Sequence, residues 1–356
     1  MIVWSDNQIP KFSEGYGYVP DSLYYYIGNS GLPIRRKKPE SWKEIQELKI
    51  NIPIGYFDID KAYNEIVVNC SVPDVFVKSK IYSIGFTFWE TNRLPRNWVN
   101  HCNEMDEVWT CSKFMKNVFV DSGIKKPVYE FKLGVDPKLY FPIKRSPHSQ
   151  FTFLSIGSPA TRKNSQLALD AFLKLFGNNE NYRLIYKSNG PPDARIRLGG
   201  ELNQIIHPRI TVIDEEYSHK DLANLYDSAD CLLYPTSGEG WGLIPFQAIA
   251  KGIPTICTNA LACTEFANMS IPLDFKWDSS SMFGIYTGAG EWAKPSFDDL
   301  CDKMKYVVEN YESVSDKTHE NARFINKNMT WQKVSQKYIS RLQSILTIKE
   351  NNVNCR

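Results

Sequence analysis

No stretch of this 356-residue chain is apolar for the roughly 18 residues that a membrane-spanning helix requires. Its opening residues, Met1 to Asp6, lack the basic segment and long apolar run of a secretory signal, and they read as a first β-strand. The eight cysteines are scattered, with no Cys-x-x-Cys pair and no metal-ligand spacing. That pattern argues against a disulfide scaffold or a zinc site, and it suits a reducing cytoplasm. A Gly-x-Ser-x-Gly elbow, a phosphate-loop lysine motif and His-Glu-x-x-His are all missing, which removes three common hydrolase and NTPase signatures. Asp58-Ile59-Asp60 has the form of a metal-binding Asp-x-Asp, but it is short and has no supporting context. It reads as a polar turn, and no catalytic metal is expected. Charge is nearly balanced, with 42 Lys plus Arg against 40 Asp plus Glu. The single dense basic cluster, Arg35 to Lys38, lies between Pro33 and Pro39 and is expected to be a loop. It is either a solvated surface or a contact to an anionic acceptor or membrane surface.

The length suits two domains, and 42% apolar with 23% charged residues is ordinary for a globular protein. A proline-rich polar stretch at 141–150 marks the boundary. Beyond it, apolar runs and helical patterns alternate. Strands are expected at 151–156, 182–186, 209–213, 231–234 and 253–257, and helices at 166–176 and 219–226 with Ser218 as a cap. This order predicts a parallel, doubly wound sheet. The first half is less regular, with short strands expected at 1–4, 52–57, 65–69, 80–88 and 107–111. A final amphipathic helix runs over 331–346, with Val334, Tyr338, Leu342 and Ile345 on one face.

Two βα turns carry chemistry. Ser237-Gly238-Glu239-Gly240-Trp241-Gly242-Leu243 follows the strand 231–234 and opens a helix that Gly252 ends. Amides at such a helix start suit an anionic group, and Glu239 can accept hydrogen bonds from a polyhydroxylated ligand. A tight turn that binds nothing is the alternative. In the second turn, Gly157 to Asn164, Arg162 and Lys163 stand at the carboxyl end of a parallel strand and at a helix start. Cations are mildly unfavourable there, and local conflicts of that kind cluster at functional sites.

With these residues the chain resembles the retaining glycosyltransferases of family 4, which have the GT-B fold. That family carries two Glu separated by seven residues. Here the first is Glu239, followed by Trp241, Leu243 and Pro245, and the second position is Gln247. The resemblance implies an α/β architecture of two Rossmann-like domains facing a central cleft. The domains would be an acceptor domain over 1–145, a nucleotide-sugar domain over 146–327, and a helix over 328–356 crossing back to the first. It implies transfer of a sugar with retention, without a metal or resident cofactor, from a UDP- or GDP-sugar. Arg162 and Lys163 would then neutralise the leaving diphosphate, which suits a transition state gaining negative charge. Glu239 would hold sugar hydroxyls, and the amides of Trp241 to Leu243 would hold phosphate or sugar.

Gln247, where the family expects Glu, would face the ribose and can still offer an acceptor and a donor. Gly240, Gly242 and Gly157 shape the donor site, and Lys187 ends a strand facing it. Asp214, Glu215 and Glu216 stand where the family places the nucleobase. Glu265 would close the site, or these carboxylates are simply surface groups. Gly15 and Gly17 after the first strand would face the diphosphate from the other domain. Glu90 and Arg93, within Thr87 to Arg96, are candidates for acceptor contact. The acceptor is a glycan, a lipid-linked saccharide or a hydroxymethylated pyrimidine in DNA. A non-catalytic nucleotide-sugar binder is the remaining alternative, motivated by Gln247.

Overall fold

The computed structural model describes residues 1–6, 15–37, 66–143, 150–157, 161–188 and 207–354. The strand expected at 52–57, the Asp58 to Asp60 turn, Lys38 and most of the boundary stretch lie outside these residues. The chain divides into two compact units, Met1–Trp89 with Arg93–Gly134 and Met329–Arg356, and Glu90–Asn92 with Val135–Asn328.

The first unit is built on a six-stranded sheet from β1 (Ile2–Ser5), β2 (Ile34–Lys37), β3 (Ile66–Cys70), β4 (Tyr82–Phe86), β5 (Glu107–Thr110) and β6 (Val128–Glu130). Its order is β2-β1-β3-β4-β5-β6, and every pairing is parallel. β1, β3 and β5 are buried along their whole length, as a sheet covered on both faces requires. Helices α1 (Gly15–Gly28), α2 (Arg96–Glu104) and α3 (Lys113–Asp121) belong to it. The basic cluster is a correction to the loop expected there: residues 34–37 pair with β1 as an edge strand. An edge tolerates the preceding Pro33, and Arg36 is held in ion pairs by buried Asp6 and by Asp21. One of the cluster's charges is therefore spent inside the protein.

The second unit carries β7 (Phe151–Gly157), α4 (Ser165–Phe176), β8 (Tyr182–Ser188), β9 (Ile210–Ile213), α5 (His219–Asp227), β10 (Cys231–Tyr234), α6 (Leu243–Ala250), β11 (Thr255–Thr258) and β12 (Ile271–Leu273). These strands form a second parallel sheet of order β12-β11-β10-β7-β8-β9. Phe153, Phe172, Phe176, Leu184 and Leu233 fill the core between this sheet and its helices. Ser218 caps α5 with Asp221 completing a capping box. Sequence periodicity did not reveal the antiparallel hairpin β13 (Phe275–Asp278) and β14 (Trp292–Pro295), followed by α7 (Phe297–Glu309) and α8 (Tyr311–Asn328).

Residues 135–143 belong to this second unit, upstream of the expected boundary at 145. Tyr140 packs edge-on against Tyr226, Lys251 lies over the Phe141 ring, and the His319 Nε2 sits 3.0 Å from the Ile143 carbonyl.

The last helix, α9 (Trp331–Asn354), belongs to the first unit. Tyr338 packs against Phe131 and donates to its carbonyl at 2.9 Å, and Trp331 donates to Tyr18 at 3.1 Å. Arg341 reaches the fully buried Glu107 through Nη2 at 2.5 Å and Nε at 3.2 Å, while Tyr82 and Trp109 donate to the same carboxylate. Removing one member of a buried pair costs about 3 kcal/mol, because the other charge is left uncompensated. Arg341→Met is therefore expected to lower the stability of the first unit by about that amount, measured by denaturant unfolding.

Candidate active site

In the second sheet β7 leads to β8 on one side, and the chain returns to lay β10 on the other. The β7/β10 pair is thus the point where strand order reverses, and ligands in open α/β sheets bind outside the carboxyl ends of the strands at such a point. The two turns of interest leave these two strands. They are stitched to each other: the Ser237 amide donates to the Arg162 carbonyl at 2.7 Å, and Asn164 donates to the Pro235 carbonyl at 2.8 Å and to Ser237 Oγ at 2.7 Å.

Between the turns lies a partly buried cluster of charge around the buried Glu239. Glu239 accepts on Oε1 from Lys163 Nζ at 2.5 Å, from Tyr234 at 2.9 Å, from Thr236 at 2.9 Å and from Arg162 at 3.3 Å. Among the described residues every donor to Glu239 converges on that one oxygen, and no donor to Oε2 is described. Arg162 also donates to the Gly238 carbonyl and forms an ion pair with Glu90 at 2.9 Å. Two cations and two carboxylates therefore sit together with no net charge. Burial alone would raise the Glu239 pKa, but Lys163 and Arg162 outweigh it and hold the carboxyl below its usual range. Burial alone would lower the Arg162 pKa, and Glu90 with Glu239 raise it. For Lys163, burial and the neighbouring guanidinium win, so its pKa lies below the ordinary lysine value.

Glycine is required twice in the Glu239 turn. Gly242 caps α6 in the left-handed region at φ 90°, and a Cβ on Gly238 would lie 2.1 Å from the Glu90 carbonyl oxygen. No side chain caps α6, and Pro245 lacks an N–H, so its first turn presents the amides of Leu243 and Ile244. Gly240 lies in the bend before it. The Trp241 ring is buried against Phe246 and Phe266, so only its backbone faces the turn. Gln247 is buried on α6, and its Oε1 lies 3.5 Å from the Tyr226 hydroxyl. Gly157 closes β7 against the Lys163 stem.

Other expected residues stand on separate segments. Lys187 stands one residue before the end of β8, buried, with its ammonium over the Tyr217 ring and donating to the Ser188 carbonyl at 2.5 Å. Burial lowers its pKa against the pull of Asp214, Glu215 and Glu216. A cavity of about 430 Å³ beside it is lined by Glu215, Glu216, Tyr217, Asp221, Asn224 and Leu225. Glu265 is half-buried on the 3-10 segment Leu261–Met269. Gly15 and Gly17 lie in the first turn of α1, the helix after β1. Arg93 is exposed, and its carbonyl accepts from the Trp89 indole at 2.7 Å. Sequence reasoning did not find Tyr234, Thr236, Asn164 or Tyr286. Only Asn164 had a readable signal: at φ 48° it takes a backbone conformation that asparagine tolerates.

Comparison with solved structures fixes the class. Sucrose-phosphate synthase from Thermosynechococcus elongatus matches with a TM-score of 0.71 and 11% identity, over 98% of this chain and 99% of that one. Anabaena HepE in complex with UDP and glucose matches with a TM-score of 0.67 and 12% identity, over 96% and 99%. The fold is that of a GT-B glycosyltransferase.

The model of family 4 glycosyltransferases in conflict systems matches residues 112–338, more than half of the chain. The chain belongs to that family. It is 24% identical over 250 residues to human alpha-1,3/1,6-mannosyltransferase ALG2, covering 63% of this chain and 58% of that protein. A stretch of 65 residues is 38% identical to D-inositol 3-phosphate glycosyltransferase of Mycobacterium tuberculosis, covering 18% of this chain and 13% of that protein. The chain thus spans less than two thirds of the length of these curated relatives.

Glu239→Gln would leave Arg162 and Lys163 undercompensated, at a cost of about 3 kcal/mol near neutral pH. The native carboxyl titrates below its unfolded counterpart, so its stabilisation is complete above the unfolded value and is lost as pH falls through the depressed one. Unfolding midpoints of wild type and variant, compared from neutral pH into the acid range, are expected to converge on acidification.

Proposed function

We propose that the protein transfers a sugar from a nucleoside-diphosphate sugar to a hydroxyl acceptor with retention at the anomeric carbon. The observation that carries this reading is the pairing of Arg162 and Lys163 with Glu239 across the strand-order reversal, beside an uncapped helix start. The two cations suit the diphosphate, whose negative charge grows as the bond to the anomeric carbon breaks. The α6 amides add partial positive charge to the same region. Glu239 spends Oε1 on protein donors and keeps Oε2 for sugar hydroxyls.

In the proposed step the acceptor hydroxyl oxygen bonds to the anomeric carbon on the face that the diphosphate leaves. The electron pair of the broken bond goes to the diphosphate, and one of its oxygens takes the acceptor's proton. No protein nucleophile enters. Gln247 and the neighbouring Tyr226 would meet the ribose with neutral groups. The inositol phosphate in the name of one relative supports a polyol acceptor over DNA, and the internal pairing of Arg36 weakens the basic cluster that favoured DNA.

Incubation with a panel of UDP- and GDP-sugars, read by nucleotide release and by NMR of the product anomer, tests the reading. Lys163→Ala is expected to cut turnover by about 100-fold or more. Nucleotide binding with no turnover of any donor would instead favour a non-catalytic binder.

The protonated Lys163 is the active form, and its pKa lies below the ordinary lysine value. Turnover is therefore expected to fall with rising pH before ordinary lysines titrate near ~10.4. Lys163→Arg should remove that alkaline limb from the rate profile, since arginine stays charged.

A further inference from the structure

Glu90 was a candidate for contact with the acceptor, yet both its oxygens are engaged within the protein. Oε1 pairs with Arg162 Nη2 at 2.9 Å, and Oε2 accepts from the Tyr286 hydroxyl. Arg162 turns its other nitrogen, Nη1, to Glu239 and the Gly238 carbonyl. One guanidinium therefore spans two carboxylates, and the second is itself held by a phenol.

Tyr286 comes from the loop joining β13 to β14, which contributes little to the core. Phe283 and Ile285 on the loop are exposed, while Tyr286 packs on buried Trp292 at 5.1 Å. Its inward contacts converge on residues 90–92. Thr91 donates to the Ala289 carbonyl at 2.5 Å, the Glu291 amide donates to Asn92 Oδ1 at 2.8 Å, and the Asn92 amide donates to the Glu291 carbonyl at 3.3 Å. Beneath, the Glu90 carbonyl lies so close to Gly238 that no side chain fits there. These contacts fix the backbone and both oxygens of Glu90 beside the cation that would meet the donor.

We propose that Glu90 is a positioning residue for Arg162, and that Tyr286 acts through Glu90 in the same role. This rests on the donor-site reading above. A carboxylate beside a diphosphate site repels the ligand, so its presence is not explained by ground-state binding. It is explained if it fixes the guanidinium where charge develops, because small misplacement of a catalytic group costs up to about 100-fold in rate. The two variants that remove these contacts should then separate turnover from binding.

The experiment measures UDP and GDP affinity by calorimetry, donor hydrolysis without added acceptor, and thermal midpoint, for wild type, Glu90→Gln, Tyr286→Phe and the double variant. Glu90→Gln is expected to bind the nucleotide as tightly as wild type or more so, while kcat falls about 10- to 100-fold per folded molecule. Tyr286→Phe should lower kcat in the same direction by less, and the double variant should be no worse than Glu90→Gln, as expected of residues in one chain of contacts. Unchanged hydrolysis in both single variants would overturn the proposal. So would a fall that tracks lost nucleotide affinity or lost thermal midpoint alone. If wild type neither binds a nucleotide nor turns over a donor, the donor-site reading itself falls and the inference with it; if wild type does both, any failure belongs to the inference alone.

Discussion

The site is organised by one buried carboxylate oxygen. Glu239 Oε1 receives an ammonium, a guanidinium and two hydroxyls within 3.3 Å. Burying Lys163 and Arg162 without such a partner would be prohibitive, since a charge removed from water must be paired and hydrogen-bonded. The pairing lets two cations stand at a place where the fold would otherwise exclude them. With Glu90 included the cluster is neutral, and the positions of its two cations are set by contacts within the protein.

Sheet topology makes this convergence possible. Lys163 and Glu239 are far apart in sequence, but their turns leave adjacent parallel strands whose order reverses between them. The hydrogen bonds from Ser237 to Arg162 and from Asn164 to Pro235 then fix the distance between the two turns. The hairpin of β13 and β14 supplies a further constraint by bringing Tyr286 to Glu90. Each layer restrains the one inside it, which is how a charged site keeps its geometry before a ligand arrives.

Much of the second unit was legible in the chain. Its strands are short apolar runs bounded by turn residues, and one of its helices carries a clear cap at Ser218. Arg162 and Lys163 were legible because cations at a helix start break a local rule, and Glu239 because it stands in a glycine-rich turn between a strand and a helix. The hairpin was not, since Phe275 to Asp278 and Trp292 to Pro295 mix apolar residues with charged ones and form no continuous apolar run. The role of Gly238 was hidden too, because it depends on a backbone carbonyl distant in sequence. Arg35 to Lys38 misled for a related reason: four basic residues between prolines suggest a loop, while the pairing of residues 34–37 with β1 and of Arg36 with Asp6 is a tertiary effect. Partners for Glu90 could not be found by spacing, for Arg162 and Tyr286 reach it from two distant segments.

The central claim is that Arg162, Lys163 and Glu239 form one face of a donor site. A crystal structure with an intact nucleoside-diphosphate sugar tests it most directly. The account predicts diphosphate oxygens on the Arg162 guanidinium and the Lys163 ammonium, with a sugar hydroxyl on Glu239 Oε2. A nucleotide seated elsewhere, with the Glu239 cluster still closed on itself, would contradict it.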